Sequence, residues 1–100
     1  MYGTVAILRL MPGAIAGFEQ AMGEVARAAE FTSGFISAYT YHPQKEPDTV
    51  ILCVVYDSEE SYRANAQSSE THGLYLKWRD MLAEEPVWHD GEARPFLRFT

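Results

Sequence analysis

Tyr62 and Asn65 stand three residues apart, so on a helix they share one face. A phenol beside a carboxamide can orient a bound molecule by hydrogen bonding, and a phenol can also exchange a proton. Leu52 and Tyr56, four apart in an apolar run, share one face of a strand. If the helix covers that strand face, the four residues line one cavity. His72 adds a side chain that titrates near neutral pH, a candidate proton acceptor beside such a cavity. Tyr75 and Trp78 follow at helical spacing and can form its wall. Each has a plainer reading as well. Tyr62 and Trp78 fit a packed core, with the Tyr62 hydroxyl at its rim, and Asn65 fits a cap at a helix break.

Other chemistries lack their residues. His42, His72 and His89 show no metal-ligand spacing, and no thiol or second carboxylate joins them, so no metal site is expected. No glycine-rich phosphate loop and no nucleophile-elbow serine is present. The pairs Glu59-Glu60 and Glu84-Glu85 read as solvated helix ends rather than an acid and base couple. The eight Lys and Arg residues are scattered through a chain of net charge −6, which disfavours nucleic acid as a partner. No apolar stretch approaches the ~20 residues of a membrane span, and no basic and apolar leader opens the sequence. Cys53 is the one cysteine and reads as an inert, buried thiol. A cytoplasmic protein folding as one domain over residues 1–100 is the expectation.

The elements that must position these residues follow from periodicity. Tyr2 to Met11 reads as a strand ended by Pro12-Gly13. From Gly13 to Glu30 apolar residues fall at Ile15, Phe18, Met22, Val25 and Ala29, one face of a helix. After the turn Thr32-Ser33-Gly34, Phe35 to His42 is a second strand. The polar loop Pro43–Asp48 joins it to a third, Val50 to Tyr56, in an antiparallel hairpin. Asp57 and Glu60 have capping-box spacing at the start of the helix carrying Tyr62 and Asn65. Ser68-Ser69 breaks that helix, and a second segment runs from Glu70 to Glu84 before Pro86. Val87 to Arg94 is a fourth strand with a turn signal at Asp90-Gly91, and Phe96 to Phe99 can extend an edge.

The order is βαββαβ, an α+β, ferredoxin-like antiparallel sheet with both helices on one face. The first and third strands are then central. The third strand does not alternate, so Ile51, Cys53 and Val55 present an apolar surface to the side that no helix covers. A second copy of the same sheet covers it most economically, and a two-fold homodimer through the sheet faces is expected. A monomer is the competing view. Tyr39 and Tyr41 on the second strand can meet either a pocket or the partner chain.

Over nearly its whole length the sequence resembles the antibiotic biosynthesis monooxygenase-like family of dimeric α+β barrels. The likeness rests on Ser58 to Asn65 (SEESYRAN), SSETH, PVWHDGE, Pro12-Gly13, Gly34 to Tyr39 and Tyr56-Asp57-Ser58. The family includes oxygenases that use neither metal nor organic cofactor. There the electron-rich aromatic substrate itself reduces dioxygen, and the protein supplies a dry pocket, helps deprotonation and steers the product. The resemblance thus implies a cofactor-independent monooxygenase for a small aromatic or quinol-like ligand, with no cofactor. Tyr62 and Asn65 match a polyketide-oxidising member, which implies that Tyr62 orients or deprotonates while Asn65 and His72 assist. Leu52 stands where that member has a pocket asparagine, and Tyr56 replaces a frequent tryptophan. Those departures favour the rival, a non-catalytic small-molecule-binding barrel. An isomerase-type member is a third reading. Haem-degrading members place an asparagine and a haem-binding histidine where this chain has Ala6 and Tyr75, with His72 one turn away.

Overall fold

The structure is a computed structural model and describes residues 1–29 and 32–97. The chain runs β1 (Tyr2–Arg9), α1 (Ile15–Ala29), β2 (Phe35–Tyr41), β3 (Thr49–Tyr56), α2 (Glu59–Ala66), α3 (Ser69–Arg79) and β4 (Val87–Glu92). The four strands form one antiparallel sheet in the order β2-β3-β1-β4. This is the expected ferredoxin-like α+β arrangement, with β1 and β3 central.

Pairing fixes which side chains share a face, because directly opposed residues in an antiparallel ladder point the same way. Ala6 opposes Leu52, Leu8 opposes Val50 and Thr4 opposes Val54. This set lies under the helices. Ala6, Leu8 and Val50 are fully buried with Phe18 of α1, and Trp78 of α3 closes the same core. The ring of Trp78 meets Phe18 edge-on at 5.9 Å. The other set, Val5 opposite Cys53 and Ile7 opposite Ile51, continues through Tyr39 and Tyr41 of β2 to the uncovered face. There Val5 is 43% exposed, Tyr39 69% and Tyr41 64%. Cys53 lies on this face and is only half-buried within one chain, which corrects the expectation of a sequestered thiol.

Four local details depart from the sequence expectation. Ser58, not Asp57, caps α2. Its extended backbone (φ −151°, ψ 162°) lets its side chain accept from the Ser61 amide, while Asp57 Oδ1 accepts from the Ser61 hydroxyl at 2.7 Å. The helix break does fall at Ser68, and Ser68 in turn caps α3 through the Thr71 amide. α3 ends at Arg79 rather than Glu84, because the next residues pair with the end of β1. Met11 N–H donates to Met81 O at 2.9 Å and Ala83 N–H to Arg9 O at 2.7 Å. Leu82 is buried there by a strand-like bridge to Leu10, although its spacing looked helical. Finally, Asp90-Gly91 does not turn. β4 runs straight through, with Asp90 opposite Thr4 and Gly91 opposite Gly3. A side chain at Gly3 would drive its Cβ into the Val54 carbonyl oxygen, so the sheet at this point requires glycine.

The first helix begins at Ile15, and Gly13 before it holds a left-handed φ of 80°. Glu30, the expected end of that helix, lies outside the described residues, as do Arg98 and Phe99 of the expected edge extension. Phe96 and Leu97 follow β4 without forming strand and are strongly exposed.

Candidate active site

Between the helices and the covered sheet face lies a cavity of about 730 Å³. That is within the usual range for small-molecule sites, roughly 300–1,000 Å³. Its floor is the sheet: Thr4 of β1, Leu52, Val54 and Tyr56 of β3, and Trp88 and Asp90 of β4. α1 contributes Met22 and Val25, α2 contributes Tyr62 and Asn65, and α3 contributes Thr71, His72, Tyr75 and Trp78. All seven residues singled out from the sequence therefore border one space. Leu52 and Tyr56 do so because even-numbered residues of β3 face the helices.

Two chains of aromatic rings form the walls. Tyr62 meets Tyr56 at 6.0 Å and Tyr2 at 5.4 Å, and Tyr56 meets Phe35 edge-on at 5.7 Å. On the other side Tyr75 meets Trp78 at 4.8 Å and Trp88 at 6.3 Å. Edge-on and tilted pairs at these distances set the positive ring edges against negative faces, which holds the walls in shape. Trp78 is 4% exposed and Tyr56 1%, so both act as core residues whose surfaces also bound the cavity. His72 lies at the more open side and is exposed.

Polar groups gather at two places. The first joins α2 to β4: the Tyr62 hydroxyl donates to Asp90 Oδ1 at 2.9 Å. Burial, and then the adjacent Asp90 carboxylate, push the Tyr62 phenol up to about 12. At neutral pH it keeps its proton and acts as a donor. Thr4, opposite Asp90 in the ladder, is 5% exposed, and its Oγ1 has no hydrogen-bond partner among the described residues. It lies near enough to Tyr62 to oppose that rise slightly, without the geometry of a hydrogen bond. The second place spans the break between α2 and α3. Ser68 Oγ donates to Thr71 Oγ1 at 2.9 Å, and Thr71 Oγ1 donates to Asn65 Oδ1 at 3.0 Å. Asn65 thus does bridge the break, as its plainer reading has it, and its Nδ2 is left without a partner among the described residues. Burial also raises the Tyr56 phenol, with a hydrogen bond to Thr32 opposing.

Sequence reasoning missed Asp90, Thr4, Thr71 and Trp88. Asp90 was hidden because Asp-Gly is a strong turn signal, and its role appears only when β4 is laid beside β1. Thr4 sits inside an apolar strand, and its neighbours across the sheet were needed to place it. The alternation in VWHD puts Trp88 and Asp90 on one strand face, a signal that could have found both. Among the described residues no group of three His, Cys, Asp or Glu side chains is placed to hold a metal ion, and no helix is long and apolar enough to cross a membrane.

The family described as antibiotic biosynthesis monooxygenase matches residues 1–81. Among solved structures, the cofactor-independent oxygenase SnoaB from Streptomyces nogalater superposes with a TM-score of 0.85 at 16% identity. The match covers 96% of this chain and 95% of that one. A conserved protein from Methanosarcina mazei gives 0.85 at 14% identity, over 93% and 92% of the two chains. A candidate antibiotic biosynthesis monooxygenase from Caulobacter crescentus gives 0.85 at 18%, over 94% and 90%. At such identities these likenesses establish the fold. No functionally curated protein matches the sequence.

Proposed function

The chain belongs to the antibiotic biosynthesis monooxygenase family, and from that premise we propose that it is a cofactor-independent monooxygenase of a small aromatic or quinol-like molecule. The carrying observation is the cavity. Aromatic walls enclose a largely apolar space into which Tyr62, Asn65 and His72 bring the few polar groups such a reaction needs. In the proposed reaction the substrate loses a proton, the resulting electron-rich anion passes electrons to dioxygen, and a carbon–oxygen bond forms. One oxygen atom stays in the product and the other leaves as water. Tyr62, held protonated with its hydrogen given to Asp90, accepts from the substrate hydroxyl and so orients that oxygen. Asn65 Nδ2 is free to donate a further hydrogen bond, and His72 at the open side is placed to take up a proton.

One observation favours a second reading. Leu52 presents a purely apolar side chain in the middle of the floor, where a hydrogen-bonding group would grip a substrate oxygen. A non-catalytic barrel that stores or carries an aromatic molecule fits that feature. Haem degradation draws little from these residues. Ala6 is fully buried in the core, and among the described residues no Lys or Arg borders the cavity to pair with propionates.

The proposed working unit is a homodimer. Val5, Ile7, Ile51, Cys53 and Val55 share a face no helix covers, flanked by exposed Tyr39 and Tyr41. Covering each larger side chain is favourable by roughly 1.5–3 kcal/mol. Oxygen-electrode assays with anthrone-type and quinol compounds test the function. Uptake above the protein-free rate, reduced in Tyr62→Phe, supports oxidation. Uptake equal to the blank across the panel, with saturable binding, selects the carrier.

A further inference from the structure

The polar corner of the cavity, on the reading of that cavity as a ligand site, also carries its selectivity. Thr4 and Asp90 are direct cross-strand partners on the covered face of the sheet, and Tyr62 reaches over them from α2. The single proton of the Tyr62 hydroxyl is committed to Asp90 Oδ1 at 2.9 Å. What Tyr62 still offers is a lone pair. What Asp90 still offers is its second carboxylate oxygen, which has no hydrogen-bond partner among the described residues. Beside them Thr4 Oγ1 is buried and unpartnered, a state that folded proteins rarely leave unfilled. Even with the one hydrogen of the Thr4 hydroxyl, acceptors outnumber donors at this corner.

The charge around it points the same way. Among the described residues Asp90 is the one carboxylate that borders the cavity, and no Lys or Arg borders it. Arg63, the residue after Tyr62, is exposed and its contacts are made elsewhere, so its charge acts on Asp90 only weakly and from a distance. Its Nε pairs with Glu59 Oε2 at 2.7 Å and its Nη2 reaches the Tyr2 hydroxyl at 3.3 Å. Glu92, next on the same face of β4, is held by Arg94 at 3.1 Å, away from the cavity. A carboxylate entering this corner would be repelled by the Asp90 carboxylate, which is exposed and forms no ion pair among the described residues. One helical turn from Tyr62, the free Asn65 amide supplies a donor suited to a carbonyl on the same ring system.

We infer that the Thr4–Tyr62–Asp90 corner selects uncharged aromatic ligands that bring a hydroxyl or amino hydrogen, and rejects aromatic carboxylates and other anions. Asp90 is the specificity-determining residue.

Calorimetric titration at neutral pH with 2-naphthol, 2-methoxynaphthalene and 2-naphthoate tests this on a single ring system. 2-Naphthol is expected to bind about tenfold more tightly than the methyl ether, which lacks the donor, and the carboxylate more weakly still. Asp90→Asn is expected to shrink the naphthol-to-naphthoate ratio by about tenfold or more. Glu92→Gln removes a neighbouring charge that does not border the cavity and should leave the ratio unchanged. Equal binding of 2-naphthol and 2-naphthoate would overturn the inference. So would an unaltered ratio in Asp90→Asn, an equal change in Glu92→Gln, or no saturable binding of any of the three. Oxygen plays no part in the titration. Selection without oxygen uptake would sink the monooxygenase reading and leave the selectivity standing, and uptake without selection would do the reverse.

Discussion

A 2.9 Å hydrogen bond from the Tyr62 hydroxyl to Asp90 Oδ1 ties α2 to the edge strand β4 across one end of the cavity. It joins the helical layer to a strand whose residues are all exposed, Asp90 among them. Removing the hydroxyl should be felt in both structure and turnover. Tyr62→Phe is expected to cost about 1 kcal/mol in urea unfolding, the net worth of one hydrogen bond. It should lower kcat by roughly tenfold to a hundredfold if the phenol orients the substrate. An unchanged kcat in a stably folded Tyr62→Phe would remove Tyr62 from the machinery.

The same tyrosine predicts an alkaline transition. Its folded-state value lies near 12 against an ordinary 10.0. The folded chain therefore holds this proton after the unfolded chain has lost it, and stability falls as pH rises. The contribution is complete below pH 10 and is lost between 10 and 12. Unfolding midpoints of the wild type should drop across that window more steeply than those of Tyr62→Phe. The raised Tyr56 phenol acts in the same direction in both proteins, so the difference between them isolates Tyr62.

Ser58, as the cap of α2, determines where the helix carrying Tyr62 and Asn65 begins. Ser58→Ala should destabilise by about 0.5–2 kcal/mol, the usual cost of a lost cap. Ser58→Gly should cost only a few tenths. Chemical denaturation of the two variants checks this. Equal losses would show that side-chain capping contributes little here.

Burial of the open sheet face by a second chain has a direct test. Sedimentation of the wild type should give twice the 11.3 kDa of one chain. Val5→Lys places a charge on that face, at a site 43% exposed within one chain. It should yield folded monomers and speed modification of the Cys53 thiol, which opposes Val5 in the sheet. A wild type that already sediments as a single chain, with Cys53 reacting freely, would end the dimer proposal.

The fold was readable because its strongest signals are local and agree with one another. The unbroken apolar run Val50–Tyr56 announced a strand with two apolar faces, and the structure puts Leu52 and Tyr56 under the helices and Cys53 on the bare side. The Ser68 break was equally plain. What stayed hidden depended on contacts between distant segments. Met81 and Leu82 continue the helical spacing of α3, yet hydrogen bonds exchanged between 81–83 and the end of β1 stop the helix at Arg79. Asp90-Gly91 has the chemistry of a turn, yet pairing with Thr4 and Gly3 keeps β4 extended. That pairing is what brings Asp90 to Tyr62, so half of the polar corner could be seen only once the sheet was assembled. Asn65 and Tyr62 were legible as neighbours on one helical turn, while the hydroxyl chain through Thr71 required two helices to meet.

Isotope tracing tests the central claim most directly. Chelator-treated, cofactor-free protein is incubated with an anthrone-type substrate under ¹⁸O₂, and the product is weighed by mass spectrometry. The account predicts one ¹⁸O atom per product molecule, at a rate proportional to protein and diminished in Tyr62→Phe. Product formed no faster than in the protein-free control, or carrying oxygen drawn only from water, would contradict it.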